Sequence, residues 1–322
     1  MSKKNALILG GSGQDGAFLA QEYLNLGFTV FSVSRSTSSR MEALGVKQFA
    51  KDFLVDMDIK AILKETGPEV VVNLASASSV AFCESNPEIS KKINLDAVLQ
   101  LSHSVENYAA DEERIIKFIQ ASSSEMFGES DQICTETTLM NPVTIYGKHK
   151  YDAHEFILSR NAKNVEYKSV ILFNHESEYR TRNFVSSKVA RSAAEVRTFG
   201  KTQIQFGNLE SKRDWGFAGD YMEALALISD QGESDCYVVA SGQTYSIEEM
   251  LRTAFAHIEK PEFNEYVSVN SDLFRTKETP PKLGISEKCR SELNWQPSLS
   301  FEQLVARLVN YQIRDIERGL NG

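Results

Sequence analysis

A glycine-rich turn beginning at Gly10 constrains this chain more than any other feature. The run Leu7-Ile-Leu-Gly-Gly-Ser-Gly-Gln-Asp-Gly16 sets a short apolar segment, read as a buried strand, directly against glycines at every third position: Gly10, Gly13 and Gly16. Glycine accepts the backbone of a tight turn and lets the next helix pack closely on the strand. Backbone amides at such a helix N-terminus meet a pyrophosphate with no side chain in the way. An ordinary tight strand-to-helix connection has the same spacing. Its position after a buried strand is what favours a dinucleotide site.

The rest of the first half agrees with that start. Apolar runs at Ala6–Leu9, Phe28–Val33, Val70–Leu74, Ile115–Gln120 and Ser169–Phe173 read as strands, separated by helical spacing over Asp15–Leu26, Asp58–Glu65, Asn86–Tyr108 and Gly147–Asn161. Gly27 and Gly67 stand where helix C-caps are expected. This alternation predicts an α/β protein with a Rossmann-type, doubly wound parallel sheet. At 322 residues the chain exceeds one ordinary core, and beyond Phe173 the alternation weakens. We expect a dinucleotide-binding domain over residues 1–173 and a smaller substrate lobe over 174–322, with loop-like stretches at Asn174–Asn183, Gly207–Gly216 and Ser268–Pro281. A helix-like Asp220–Ser229 and a strand-like Cys236–Ala240 return to the sheet domain at about 217–240, so the lobes interleave. Phe301–Arg318 reads as a closing amphipathic helix.

Charge and cysteine usage narrow the partners. A net charge of −9 without a basic run leaves no electrostatic footprint for nucleic acid, so an anionic ligand must be held locally. The four cysteines lie far apart with no C-x-x-C pair, against a disulfide framework or cysteine zinc site; no metal is expected. No apolar stretch approaches the ~18 residues of a membrane span, and the apolar run before Gly10 is too short for a signal peptide. A cytoplasmic protein is expected.

The second strand ends Ser34-Arg35-Ser36-Thr37, with no acid where a ribose 2′-hydroxyl normally finds one. Arg35 and Ser36 suit a 2′-phosphate, hence NADP, although a solvated surface arginine reads the same way. Asp52 can accept from an adenine amino group or cap a helix. Tyr146 and Lys150, four residues apart, fall on one helix face, where an ammonium that lowers the phenol pKa makes Tyr146 a usable acid/base. That pair is common by chance. More weight comes from Gln120-Ala-Ser-Ser-Ser-Glu-Met-Phe-Gly128, at the carboxyl end of a predicted central strand: serine hydroxyls there polarise a substrate oxygen, and Glu125 adds a second proton-transfer group. N-capping is the competing role for each serine.

These blocks, together with Asn73-Leu-Ala75, Leu172-Phe-Asn-His-Glu-Ser177, Phe184-Val185 with Lys188, Lys212-Arg-Asp-Trp-Gly216 with Asp220-Tyr221, and Phe274-Arg275 with Glu278, resemble the extended short-chain dehydrogenase/reductases, and among them the GDP-mannose 4,6-dehydratases, over nearly the whole chain. The resemblance implies an internal redox cycle on a retained NADP. Tyr146 takes the C4 hydroxyl proton, Lys150 holds the cofactor ribose, Glu125 removes the C5 proton, and Glu125 with Ser123 helps expel the C6 hydroxyl as water. It implies further cofactor contacts at Gln14, Asp15, Phe53, Leu74 and Ala75, and a nucleotide-sugar site, GDP-mannose favoured, from Ser78, Asn174, Glu176, Val185, Lys188, Arg213, Arg275 and Glu278. It also implies a homodimer built on the helices over Asn86–Tyr108 and Gly147–Asn161, or a homotetramer joined near Arg35.

The departures from the family pattern lie in loops beside the sugar. Asn141-Pro-Val-Thr-Ile-Tyr146 replaces Pro-x-Ser-Pro-Tyr, Ala77-Ser-Ser79 replaces Gln-Ser-His, and Glu178-Tyr-Arg-Thr-Arg182 follows Ser177 where Pro-Arg-Arg-Gly is usual. An epimerase or reductase of the same family, or a catalytically silent NADP-binding homologue, would share the remaining residues.

Overall fold

The computed structural model describes residues 4–52, 59–130, 133–200, 203–233, 235–274 and 280–320. In chain order its strands are β1 (Asn5–Leu9), β2 (Thr29–Ser34), β3 (Lys47–Ala50), β4 (Val70–Asn73), β5 (Ile116–Ser123), β6 (Val165–Leu172), β7 (Asn174–Glu176), β8 (Ile204–Phe206), β9 (Lys212–Phe217), β10 (Cys236–Val239), β11 (Thr244–Ser246) and β12 (Val267–Val269). Seven of them form one parallel sheet in the order β10-β6-β5-β4-β1-β2-β3. The expected doubly wound sheet is therefore present. Its order reverses between β1 and β4, and the crevice outside their carboxyl ends is where such sheets bind ligands.

The inner strands β1 and β4 are buried on both faces, which is why they read as short apolar runs. Ala6, Ile8 and Val72 belong to one core cluster, and Leu7, Leu9 and Val71 to the other. A third core joins the helices Val185–Phe199, Ile247–His257 and Phe301–Leu320 around Phe206 and Trp215. Beside it run a three-stranded sheet, β11-β9-β7, and the pair β12-β8. No helix among the described residues is long and apolar enough to cross a membrane.

Several elements differ from expectation. β5 runs through Ser123, so Ser122 and Ser123 are strand residues and not part of the following turn. β6 starts at Val165 because Val165 and Tyr167 turn inward while Glu166 stays exposed, an alternation hidden ahead of the apolar run. The expected loop at Gly207–Gly216 ends in β9. The helix expected over Asn86–Tyr108 is three pieces, Pro87–Lys91, a π-turn at Lys92–Asp96, and Ala97–Asp111. Gly27 and Gly67 take positive φ at helix ends, as expected.

Candidate active site

The glycine turn is shaped by close backbone approaches. Gly10 adopts φ +84°, and a Cβ there would stand 2.7 Å from the Ala75 nitrogen; one at Gly16 would stand 2.0 Å from the Gly11 carbonyl. Glycine at both positions thus serves packing between the strand ends and the helix Gly16–Asn25. Two turn amides are already committed: Gly13 N–H donates to the Gly10 carbonyl at 3.1 Å, and Ser12 N–H to Ser34 Oγ at 2.9 Å. Arg40, unnoticed in the sequence, lies over the turn. It donates to the Ser12 and Gly13 carbonyls at 3.1 and 3.2 Å and stacks on Tyr179 at 4.1 Å. Its Nε is buried with no partner among the described residues. Arg35 and Ser36 are exposed just past β2, and Asp52 is half-buried beyond β3; Phe53 lies outside the described residues.

Gln14 and Asp15 fasten the turn to β7. Gln14 donates to the His175 carbonyl at 3.0 Å and accepts from Ser177 Oγ at 3.0 Å. Asp15 pairs with His175 Nε2 at 3.2 Å. Burial opposes ionisation of Asp15, but His175 and Arg180 outweigh it and hold its pKa at about 2. Glu176 is buried, taking Arg180 Nε at 2.7 Å and Ser186 Oγ at 2.6 Å, so its carboxylate braces the lobe from within. Asn174 heads the same strand.

Tyr146 and Lys150 lie on the helix Ile145–Leu158, capped where the Thr144 hydroxyl accepts from Gly147 N–H at 3.0 Å. Both side chains are buried. The Tyr146 pKa is raised, not lowered: burial dominates, hydroxyl hydrogen bonds with Ser123 and Ser76 partly offset it, and the Glu125 charge adds to it. Lys150 donates to the Ala121 carbonyl at 2.5 Å, and burial pushes its pKa down to about 8. One turn on, His154 reaches Ser169 Oγ at 2.7 Å, which meets Ser122 Oγ at 2.8 Å; burial and then Lys150 lower this histidine to about 4.

Glu125 is drawn to Tyr146 by the backbone. A Cβ on Gly147 would stand 2.6 Å from the Glu125 carbonyl, so the helix start presses on the short 3-10 turn Ser124–Phe127. Gly128 closes that turn at φ +61°, where a Cβ would stand 1.6 Å from the Asn141 carbonyl. Ser123 Oγ accepts from Glu125 N–H at 3.2 Å. The Glu125 carboxylate pairs with Lys282 at 3.6 Å, a lysine that no sequence motif indicated. Ser76, equally unnoticed, is held by Asn94 Oδ1 at 2.8 Å, and Asn94 also accepts from Ala77 N–H at 3.0 Å. The π-turn at Lys92–Asp96 contains Asn94.

The other expected substrate contacts are more dispersed. Ser78 is exposed after β4, and Val185 opens the helix Val185–Phe199. Lys188 lies 4.6 Å over the Phe206 ring and donates to the Gln205 carbonyl. Arg213, on β9, donates to the Lys212 carbonyl at 2.6 Å. Its neighbour Asp214 accepts from the backbone of Ser241, Gly242 and Gly284 at 2.9–3.4 Å, and burial raises it to about 6. Trp215 is core, stacked on Phe301. Arg275 and Glu278 lie outside the described residues.

The family model described as GDP-mannose 4,6 dehydratase matches residues 7–308. GDP-mannose 4,6 dehydratase 2 of Arabidopsis thaliana is 33% identical, covering 98% of this chain and 88% of its own length. The Homo sapiens GDP-mannose 4,6 dehydratase is 32% identical, with 96% and 91% covered. Among solved structures, a UDP-glucose 4-epimerase from Thermotoga maritima has TM-score 0.84 at 19% identity, covering 97% of this chain and 99% of its own. A dTDP-glucose 4,6-dehydratase from Bacillus anthracis has TM-score 0.80 at 18% identity, with 98% of both chains covered.

Proposed function

The chain belongs to the GDP-mannose 4,6 dehydratase family, and from that premise we propose that it dehydrates GDP-mannose to GDP-4-keto-6-deoxymannose on a retained NADP. The observation that supports this is the close packing of the Tyr146 helix start on the turn that bears Glu125, whose charge is felt at the Tyr146 phenol. Two different proton-transfer groups at one strand end suit a reaction that moves protons at two carbons.

The turn fits a dinucleotide. Gly13 carries no side chain where the helix opens, and Arg40 keeps a buried, unpartnered Nε–H beside it. Arg35 and Ser36 supply a cation and a hydroxyl for a 2′-phosphate, which favours NADP over NAD. Gln14, Asp15, Leu74 and Ala75 line the same end of the sheet; Asp52 and Phe53 follow β3. A bound NADP would supply a hydride acceptor for C4 and, once reduced, a hydride donor for C6.

Tyr146, kept protonated while burial holds its pKa up, would take the C4 hydroxyl proton as the phenolate that the positive charges of Lys150 and of oxidised NADP favour, with Ser123 and Ser76 hydrogen-bonding its oxygen. Lys150, fixed by the Ala121 carbonyl, holds the cofactor ribose and presents positive charge on the same helix face. Glu125 removes the C5 proton, which the C4 ketone has made acidic. It then returns a proton to the departing C6 hydroxyl, aided by Ser123; once hydride has reached C6, C5 takes a proton back from solvent, and Tyr146 gives up its own to solvent. Substrate is held by Ser78, Asn174, Val185 and Lys188, its diphosphate by the guanidinium forks of Arg213 and Arg275, and its nucleoside end near Glu278. Glu176 acts from behind, through Arg180.

Self-association as a homodimer or homotetramer is supported by Phe82 and Ile89, exposed on the helices Val80–Ser85 and Pro87–Lys91. The four free cysteines suit a reducing cytoplasm. Incubation with GDP-mannose tests the activity: the expected product is lighter by one water, with no steady-state accumulation of free reduced nicotinamide. Recovery of unaltered sugar refutes it.

A further inference from the structure

Among the described residues, the ion pair at the candidate base is formed by a residue with no motif around it. Lys282 Nζ lies 3.6 Å from Glu125 Oε1, with the lysine side chain 7% and the glutamate side chain 17% exposed. The two come from opposite halves of the chain. Glu125 follows β5, whereas Lys282 lies in a segment held on three sides. Cys134 donates its N–H to the Leu283 carbonyl at 2.8 Å, Ile285 donates to the Cys134 carbonyl at 3.1 Å, and Gly284 donates to Asp214 at 3.4 Å. A Cβ on Gly284 would stand 2.5 Å from the Ala240 Cβ, so this backbone has little room to shift. The lysine is therefore presented to the carboxylate by a fixed piece of the second lobe.

Resting on the dehydratase reading above, we infer that Lys282 is a positioning residue: its ammonium, fixed by the 282–285 segment, holds the Glu125 carboxylate aimed into the pocket beside Tyr146 for C5 deprotonation. A half-buried carboxylate gains from a counter-charge or hydrogen-bond donors, and among the described residues Ser123 bonds the Glu125 backbone N–H and not its carboxylate. Arg213 and Cys134 also face Lys282, and Tyr146 faces Glu125. Glu125 attracts the ammonium and Arg213 repels it. The expected diphosphate cation and the counter-ion of the base thus sit side by side with separate tasks.

Lys282→Met and Lys282→Arg, assayed beside the unaltered enzyme, test this. In K282M the kcat for dehydration should fall about tenfold or more, with KM within about twofold. Deuterium uptake at C5 from heavy water should fall by the same factor. Oxidation at C4, which Glu125 does not serve, continues, so reduced nicotinamide should build up on the enzyme during turnover. K282R should recover most of the rate. Where K282M is poorly folded, Lys282→Gln, which keeps a donor without the charge, should show the same split. K282M with unchanged kcat, or a loss shared equally by C4 oxidation and C5 exchange, overturns the positioning role alone. Unaltered enzyme that leaves GDP-mannose intact overturns the dehydratase reading together with it.

Discussion

The carboxylate of Asp15, at the end of the glycine turn, lies 3.2 Å from Nε2 of His175 on β7, so the mouth of the first βα unit is bonded to the small sheet β11-β9-β7. This pair makes stability depend on pH in a definite direction. Asp15 is held at about 2, below its ordinary 3.8, and its contribution is lost as pH falls through that value. His175 is raised above its ordinary 6.5: burial works against this, but Asp15 outweighs it, so its contribution is present below 6.5 and lost as pH rises through the folded value. His175→Gln should therefore cost on the order of 1–2 kcal/mol at about pH 5 and much less at about pH 9, read from urea unfolding. A penalty that grows toward alkaline pH would contradict the pairing.

Glu125→Gln keeps the size and hydrogen-bonding capacity of the side chain but removes the base. Dehydration should fall about 100-fold or more, and C5 exchange with it, while NADP still raises the melting temperature as in the unaltered protein. Retention of C5 exchange would remove Glu125 from its proposed role.

Gly128→Ala tests how the base is held. With φ +61°, and the Asn141 carbonyl 1.6 Å from the position a Cβ would take, the substitution must displace the loop leading to Tyr146. A loss of about 3 kcal/mol or more in chemical denaturation is expected, with activity falling in parallel. A stability change within about 0.5 kcal/mol would mean that the loop adapts freely.

Arg35→Glu should abolish the cofactor preference. The unaltered protein should bind NADP at least about tenfold more tightly than NAD in calorimetry, and the variant should lose that margin by weakening NADP alone. Equal affinity of the unaltered protein for the two cofactors would contradict the 2′-phosphate site.

Sequence revealed the sheet because its inner strands are buried on both faces and therefore written in short apolar runs, as in Val70–Asn73. It hid the helix Val185–Phe199, whose buried face is largely small and polar, with Ser186, Ser187 and Ser192 inside. At the candidate site, Ser123, Glu125, Tyr146 and Lys150 could be singled out because they fall at one strand end and on one helix face. Ser76 was missed because its place depends on Asn94 in an irregular turn. Lys282 was missed because nothing in Pro280-Pro-Lys-Leu-Gly284 signals that a strand-like bridge to Cys134 carries it to Glu125. The Tyr146 pKa was misjudged because spacing on a helix shows that Lys150 is near, not that its ammonium points to the Ala121 carbonyl.

The most direct test of the internal hydride cycle uses GDP-mannose labelled with deuterium at C4, converted by the NADP-loaded enzyme in ordinary water. The account predicts a dehydrated product carrying that deuterium at C6. Loss of the label to solvent or to free reduced cofactor, or recovery of sugar with its mass unchanged, would contradict it.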